Sequence, residues 1–332
     1  LLSYGKTGLS GRPHAEEEAI NNVSDKKNLV GSSMYVTLEP CAHKNINGLS
    51  CADQICRTGI KEVFVGCVDP DPRTNKKGIN LLKKKEIIVH ENFLKDKVSK
   101  LYDGFFSRIL NKKPYVSLKI ACSLDGKIAL KNNKSKWITN ELSRSYSHLL
   151  RSQNDAIMTS SSTILNDNPR MNCRLNGLEI KSPIKVILDR FLKVSSKYNI
   201  FDTSNKNDIF LYSILETKDH LNENKFVKKI KVDKQFNDEE FFNFIFTDLA
   251  SKGINNLLIE TGSIINTILL SLNLVDELLI FRSGNIIGND GLSFVNNLNL
   301  KEINDLKNYK ISSLKFFEDD ILEIRNLKKQ GF

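Results

Sequence analysis

The chain has no run of 18 apolar residues, so nothing in it reads as a transmembrane span. Its opening, Leu1-Leu2-Ser3-Tyr4-Gly5, does not form a secretory signal. Six cysteines are scattered over 332 residues without dense spacing, which excludes a disulfide scaffold and fits a reducing cytoplasm. No internal repeat is visible, and tryptophan occurs once, at Trp137. What is present is a globular composition, 40% hydrophobic, on a chain long enough for two domains. The formal net charge of +10 raises the question of nucleic acid. The lysines, however, are spread among Asn and Ile, and no aromatics interleave with a basic cluster. The charge is read as compositional bias suited to a small anionic substrate, with no nucleic-acid or membrane partner.

One constellation carries chemistry. His14, Cys41 and Cys51 offer an imidazole and two thiolates, three ligands for a tetrahedral zinc with the fourth position left for water. Glu16 stands two residues after the histidine, where a carboxylate can move that water's protons. Such an H-x-E…P-C arrangement, here Pro13-His14-Ala15-Glu16 and Pro40-Cys41, is that of zinc deaminases, in which the Glu is the general acid/base. Zinc lowers the pKa of water from about 15.7 toward 7, so hydroxide can add to an amidine-like carbon. The departing amine must then be protonated, and Glu16 can deliver that proton. Cys56 is the best rival to Cys51 as a ligand. His43 is a further candidate, though it follows Cys41 closely. Cys67, Cys122 and Cys173 read as buried or incidental thiols.

The local pattern places these residues. Pro13 and the run from Ala15 to Ile20 put His14 in the first turn of a helix. Met34-Tyr35-Val36-Thr37-Leu38 reads as a short buried strand, and Cys51 as the start of another helix, where a thiolate is favoured. A strand is expected at 62–68, a helix at 78–85, a strand at 87–90 and an amphipathic helix at 93–110. Asn111-Lys112-Lys113-Pro114 breaks the pattern and marks a domain boundary, giving domains 1–112 and 113–332. Beyond it, strands are expected at 115–120, 155–159, 184–189, 208–213, 255–260 and 276–282. Helices are expected at 139–151, 236–251 and 262–272, and Asp125-Gly126 reads as a hairpin turn. This is an α/β domain on a mostly parallel sheet. Leu257 to Ser263 reads as strand, glycine turn and helix, either an anion site or an ordinary strand-to-helix turn. Trp137 either stacks on a ring or fills the core. Lys119, on an apolar strand, is costly unless paired, which favours a role in a site.

Taken in order, these segments resemble the bifunctional riboflavin-biosynthesis deaminase/reductase family. The resemblance rests on Pro13-His14-Ala15-Glu16, Thr37-Leu38-Glu39-Pro40-Cys41, Cys51, Asp69-Pro70-Asp71-Pro72 and Gly78-Ile79 in the first half. In the second it rests on Leu118-Lys119-Ile120-Ala121, Ser123-Leu124-Asp125-Gly126-Lys127, Ser135-Lys136-Trp137-Ile138-Thr139, His148-Leu149-Leu150-Arg151, Asn168-Pro169, Glu260-Thr261-Gly262 and Leu274-Val275-Asp276-Glu277. It implies a cytidine-deaminase-like three-layer αβα domain followed by a dihydrofolate-reductase-like α/β domain. It also implies two successive reactions, deamination of a phosphorylated diamino-pyrimidinone and NADPH reduction of its ribosyl chain to ribityl. By the same resemblance the zinc ligands are His14, Cys41 and Cys51, with Glu16 as proton shuttle. The cofactor positions are Ala121, Trp137, Thr163, Asp167 and the turn Gly262, Ser263, Ile264. The substrate positions are Lys119, Ser135, Arg151, Met171, Arg174 and Glu260, and a homo-oligomer is implied. Three departures stand out: the segment Lys44 to Ser50 before the second cysteine, Ser263 where the family has Pro, and an opening that lacks the family's N-terminal helix and Asn-bearing loop. The deaminase domain is therefore expected to be truncated at its N-terminus.

Overall fold

Buried apolar residues gather on one face of a small parallel sheet and on both faces of a large one. The computed structural model describes residues 1–8, 11–43, 48–202, 207–216, 224–302 and 308–327. Two units emerge, Leu1–Asn111 and Lys112–Phe332.

The first unit is built on β1 (Ser33–Leu38), β2 (Glu62–Cys67) and β3 (Ile88–His90), all parallel. Burial alternates along β1, as period-two side-chain geometry requires. Met34, Val36, Val63 and Val65 share a core with residues of α1 (Ala15–Asn21), α2 (Cys51–Cys56) and α3 (Lys77–Lys84). The opposite face carries an aromatic ladder. Tyr35, Phe64 and His90 are register partners across the three strands, with ring centroids 4.5 and 4.2 Å apart. Gly66 is obligatory on β2, because an added Cβ would lie 2.7 Å from the Thr37 carbonyl oxygen and 2.8 Å from Val98.

The expected helix at 93–110 is not one helix. It runs as α4 (Lys95–Val98), a 3₁₀ turn (Ser99–Tyr102), α5 (Asp103–Phe106) and a π-turn (Ser107–Asn111). Phe93 instead closes a turn, its N–H donating to the Val65 carbonyl at 2.9 Å. Only Gly104 and Ser107 are buried in the segment, and Leu101 and Leu110 face solvent. The apolar spacing was helical, but no continuous buried stripe holds the turns in one register.

The second unit centres on a nine-stranded sheet of order β13-β14-β11-β4-β10-β6-β7-β8-β9. These are β4 (Tyr115–Cys122), β6 (Ala156–Ser160), β7 (Ile184–Leu188), β8 (Ile209–Ser213), β9 (Val227–Lys231), β10 (Asn256–Ile259), β11 (Glu277–Arg282), β13 (Tyr309–Phe317) and β14 (Asp320–Leu327). All pairings are parallel except those of β14 with β11 and β13. Alternate residues supply two separate cores. Val116, Leu118, Met158 and Leu257 face one, Ile157, Ile187 and Leu258 the other, as in a parallel sheet covered on both sides. The covering helices are α6 (Glu141–Ser152), α7 (Ser161–Asp167), α8 (Asp238–Ser251) and α9 (Ser263–Ser271). Asn140 caps α6 through the Ser143 N–H at 2.9 Å, and its own amide donates to the Phe317 carbonyl. A capping box of Asn237 and Glu240 starts α8.

The hairpin expected at Asp125-Gly126 is corrected. The turn exists, with Gly126 at φ +77°, yet β5 (Lys127–Leu130) pairs with β12 (Gly291–Ser293) in a separate two-stranded sheet. Among the described residues, no helix is long and apolar enough to cross a membrane.

Candidate active sites

His14 caps α1 instead of entering its first turn, which leaves its imidazole free at the helix start. Chain segment 1–8 lies against this helix. Ser3 Oγ donates to the Ala19 carbonyl at 2.6 Å, and a Cβ on Gly5 would be 2.2 Å from the Ala15 oxygen. Ser50 caps α2 in a capping box with Asp53, so Cys51 occupies the first helical position, fully buried. Cys41 follows β1 through Pro40 and is buried as well. The ligand atoms of His14, Cys41 and Cys51 all lie within 4.8 Å of one another. His14 Nδ1 is 3.3 Å from Cys51 Sγ, and the Cys51 amide points to Cys41 Sγ at 3.5 Å. Cys56 and His43 stand outside this triangle, so the rival ligands drop out.

The electrostatics suit a cation. Hydrogen bonding from Cys51 and then His14 draws the Cys41 thiol well below its ordinary range, while the same Cys41 contact and burial push Cys51 up, so the two sulfurs share a proton that a cation would displace. One imidazole and two sulfurs at this spacing are a zinc donor set. Glu16 sits in the first turn of α1, hydrogen-bonded to the Cys51 side chain. Burial pushes its carboxyl up from the ordinary carboxylate value. Residues 44–47, part of the segment that departs from the family, lie outside the described residues.

Glu39 is a residue whose role the sequence did not disclose. Its buried carboxylate accepts the backbone N–H groups of Asp69, Lys76, Gly78 and Ile79 at 3.0–3.2 Å. A Cβ on Gly78 would meet the Pro40 oxygen at 1.9 Å. The Glu39-Pro40-Cys41 segment and the Asp69 to Ile79 loop are thus one welded unit that fixes Cys41.

In the second unit, a cavity of about 1310 Å³ opens at the C-terminal ends of β4, β6, β7 and β10. Crevices at that edge of parallel sheets are where ligands bind. β4 contributes Lys119 and Ala121, the following loop Ser135 and Trp137, and α6 Arg151. Thr163, Asp167, Met171 and Arg174 come from α7 and the chain beyond it; Glu260, Gly262, Ser263 and Ile264 come from the turn into α9. All thirteen reductase positions named above line this one cavity. Trp137 is 69% exposed, so the core-filling alternative is excluded. Arg144 lies over its indole, 4.4 Å from the centroid. Gly262 has φ −91° and nothing within 4 Å of an added Cβ. The glycine is not demanded by the backbone; it leaves open space above the start of α9.

The polar heart of the cavity is a buried ion cluster. Arg151 donates to both Glu260 oxygens, Nε at 2.8 Å and Nη2 at 2.9 Å, and Lys119 Nζ is 3.7 Å away. Burial would raise the Glu260 carboxyl, but Arg151 and Lys119 outweigh it and hold it at about 2. Lys119 is therefore paired, as its apolar strand requires. Arg174 is flanked by the charges of Arg151 and Arg170, so this wall presents a surplus of cations.

Sequence reasoning missed several lining residues. Arg144, Ser147 and His148 share the face of α6 that carries Arg151, at helical spacing, and that periodicity was a usable signal. Burial, then the charges of Arg151 and Arg174, keep His148 neutral, at about 4. Arg190 and Lys193, beyond β7, add further cations, which nothing in the local sequence marked.

Known proteins match both units. The RibD C-terminal domain family matches residues 114–321, and the cytidine and deoxycytidylate deaminase zinc-binding region matches residues 4–67. The riboflavin biosynthesis protein RibD of Haemophilus influenzae is 30% identical, over 97% of this chain and 87% of its own. That of Aquifex aeolicus is 31% identical, over 92% and 83%. Among solved structures, the Thermotoga maritima diaminohydroxyphosphoribosylaminopyrimidine deaminase/5-amino-6-(5-phosphoribosylamino)uracil reductase superposes with a TM-score of 0.84 at 31% identity, covering 96% of this chain and 86% of that one. Acinetobacter baumannii RibD gives 0.86 at 26% identity, covering 99% and 89%. The two units accordingly have the cytidine-deaminase-like and dihydrofolate-reductase-like folds expected.

Proposed function

The chain belongs to the RibD family of riboflavin-biosynthesis proteins, and from that premise we propose the following division of labour between its units. Residues 1–112 deaminate 2,5-diamino-6-(5-phosphoribosylamino)pyrimidin-4(3H)-one, and residues 113–332 reduce the ribosyl chain of the product to ribityl. The observation that carries the first step is the His14–Cys41–Cys51 triangle with Glu16 against it. When bound there, zinc supplies Lewis acidity that brings a water's pKa toward 7. Glu16 takes a proton from the attacking water and delivers it to the departing amino nitrogen, so the C–N bond breaks and ammonia leaves. Glu39 and its loop hold Cys41 while this happens.

For the second step the cavity offers volume for a dinucleotide and a sugar phosphate side by side. NADPH supplies the hydride. Trp137, Thr163, Asp167 and the turn from Gly262 to Ile264, with Ala121, line the cofactor's side. Ser135, Arg151, Met171, Arg174 and Glu260 line the substrate's side, and Arg174 presents a planar cation suited to a phosphate. Lys119 contacts the ribose near C1′. Its ammonium hands a proton to the oxygen freed when the sugar ring opens, as hydride reaches C1′. Glu260 keeps that ammonium and Arg151 in place. Replacing Lys119 by Met should cut reductase turnover by about 10²-fold or more, read as NADPH oxidation; unchanged turnover removes the role.

In the same reading the protein works as a homo-oligomer in the cytoplasm. None of the six cysteines is in a disulfide. The outermost strand, β13, leaves Ile311, Leu314 and Phe316 exposed, which suits a contact between copies. The deciding experiment incubates purified protein with the diamino substrate, with and without NADPH. Ammonia release without cofactor, followed by NADPH-dependent formation of the ribityl product, is expected. Cofactor oxidation on the deaminated substrate without any ammonia release from the diamino one would leave a reductase alone.

A further inference from the structure

Residues 171–174 carry one of the cavity's exposed cations, Arg174, on a segment with no regular structure. Met171 anchors one end, buried at φ +52°. Cys173 anchors the middle, its N–H donating to Ser182 Oγ at 3.1 Å. Two residues of α6 hold the rest. Arg151 Nη1 donates to the Asn172 carbonyl at 3.1 Å. His148 Nδ1 lies 3.1 Å from that same oxygen and 3.3 Å from the Arg174 amide nitrogen. As Nδ1–H the ring donates to Asn172; as the other tautomer it accepts from Arg174. Either way one edge of the imidazole spans the backbone from residue 172 to 174. Beyond this pin, Arg174 Nη1 donates to Asn172 Oδ1 at 2.9 Å, so the guanidinium is aimed by the residue the imidazole holds.

We infer that His148 is a positioning residue of the reductase site, which sets Arg174 against the phosphate of the substrate by pinning the 172–174 backbone. The inference rests on the reading of Arg174 as a phosphate-contacting residue. Arg151 cannot do the work alone. Its Nε and Nη2 are turned to Glu260, and a single hydrogen bond from Nη1 to one carbonyl leaves the peptide free to turn about it. His148 contributes discrimination between a phosphorylated substrate and its unphosphorylated counterpart, and takes no part in hydride transfer.

The test compares 5-amino-6-(5-phosphoribosylamino)uracil with the same compound lacking the phosphate, on the whole protein. The readouts are KM and kcat for NADPH oxidation. His148→Ala is expected to raise KM for the phosphorylated substrate about five- to tenfold, the worth of one such hydrogen bond. Its kcat, and kcat/KM for the unphosphorylated compound, should stay within about twofold. His148→Asn, whose amide nitrogen replaces Nδ1, should recover most of the loss. A fold-wide defect would lower both substrates alike and would overturn the inference. Arg174→Gln separates the two levels. If it erases phosphate discrimination while His148→Ala leaves it intact, the phosphate reading stands and the inference falls. If Arg174→Gln leaves discrimination unchanged, the phosphate reading itself is wrong and the inference goes with it.

Discussion

Glu16 in the first unit and Glu260 in the second are both carboxylates in a candidate active site, and their surroundings drive them in opposite directions. Glu16 has the half-buried His14 imidazole and two sulfurs near it, and burial dominates, pushing its carboxyl up. Glu260 is gripped by Arg151 at two oxygens and faced by Lys119, and these charges hold it at about 2 despite burial. The first is raised by burial, which eases its taking up a proton; the second is held ionised by fixed cations. A site that breaks a bond to nitrogen needs a carrier of protons. A site that receives a hydride carrier and a sugar phosphate, both anionic, needs fixed cations and a counter-charge to keep them ordered. The contrast extends to scale. The first site is three ligand atoms within 4.8 Å, the second a cavity of about 1310 Å³.

The largest effect that could break this comparison lies at Glu16. Glu16→Gln keeps shape and hydrogen bonding but removes the proton carrier. Ammonia release should fall by ~10²–10⁴-fold, while bound zinc and NADPH oxidation stay unchanged. Metal content read alongside both activities checks this; a variant that still deaminates would assign the proton to another group. Stripping the metal with a chelator should likewise abolish ammonia release and spare the reductase, since the cavity of the second unit contains none of the three ligands.

Glu260 should answer through stability and pH instead. Its folded pKa of about 2 lies below its ordinary 4.5. Its contribution is therefore complete above about pH 4.5 and is lost as pH falls toward 2. At neutral pH the difference corresponds to about 3 kcal/mol. Glu260→Gln, which leaves Arg151 and Lys119 buried beside a neutral group, should destabilise the second unit by about that much. Denaturant titrations at pH 7 and at successive lower values should show the gap between the two proteins closing below pH 4.5. A gap that is constant with pH would mean that packing, not charge, is what Glu260 supplies.

The two sites were not equally legible in the sequence. The zinc ligands fall within 38 residues and announce themselves by type and spacing, because a metal accepts few donors and tolerates little displacement. The structure places them in one triangle, with Cys56 and His43 excluded. The second cavity draws on residues from 119 to 296, and no local pattern joins Lys119 to Glu260; the resemblance to a family named thirteen of its positions. The α-helices at 141–152, 238–251 and 263–271 and the buried parallel strands were readable from apolar runs. The hairpin of β13 and β14 was not, because β13 is almost wholly exposed and shows no alternation. The segment at 93–110 misled for the opposite reason, having helical spacing without a surface to bury it against. Glu39 was visible as a motif residue, but its four backbone partners lie 30 to 40 positions away.

The smallest expected effect is at Trp137, and it sharpens the contrast from the side of the open cavity. A residue 69% exposed contributes little to the fold, so Trp137→Phe should change stability by no more than about 0.5 kcal/mol. Its indole nevertheless stands on the cavity wall, with the Arg144 guanidinium 4.4 Å and the Lys136 ammonium 6.0 Å from its centroid. Because it is the only tryptophan, its emission reports on that wall alone. Titration with NADPH should quench it, with a midpoint matching the KM for cofactor, and addition of zinc should leave it unaltered. Quenching by zinc, or none by NADPH, would mean that the ring does not face the cofactor and that the division between a metal unit and a nucleotide unit has been drawn in the wrong place.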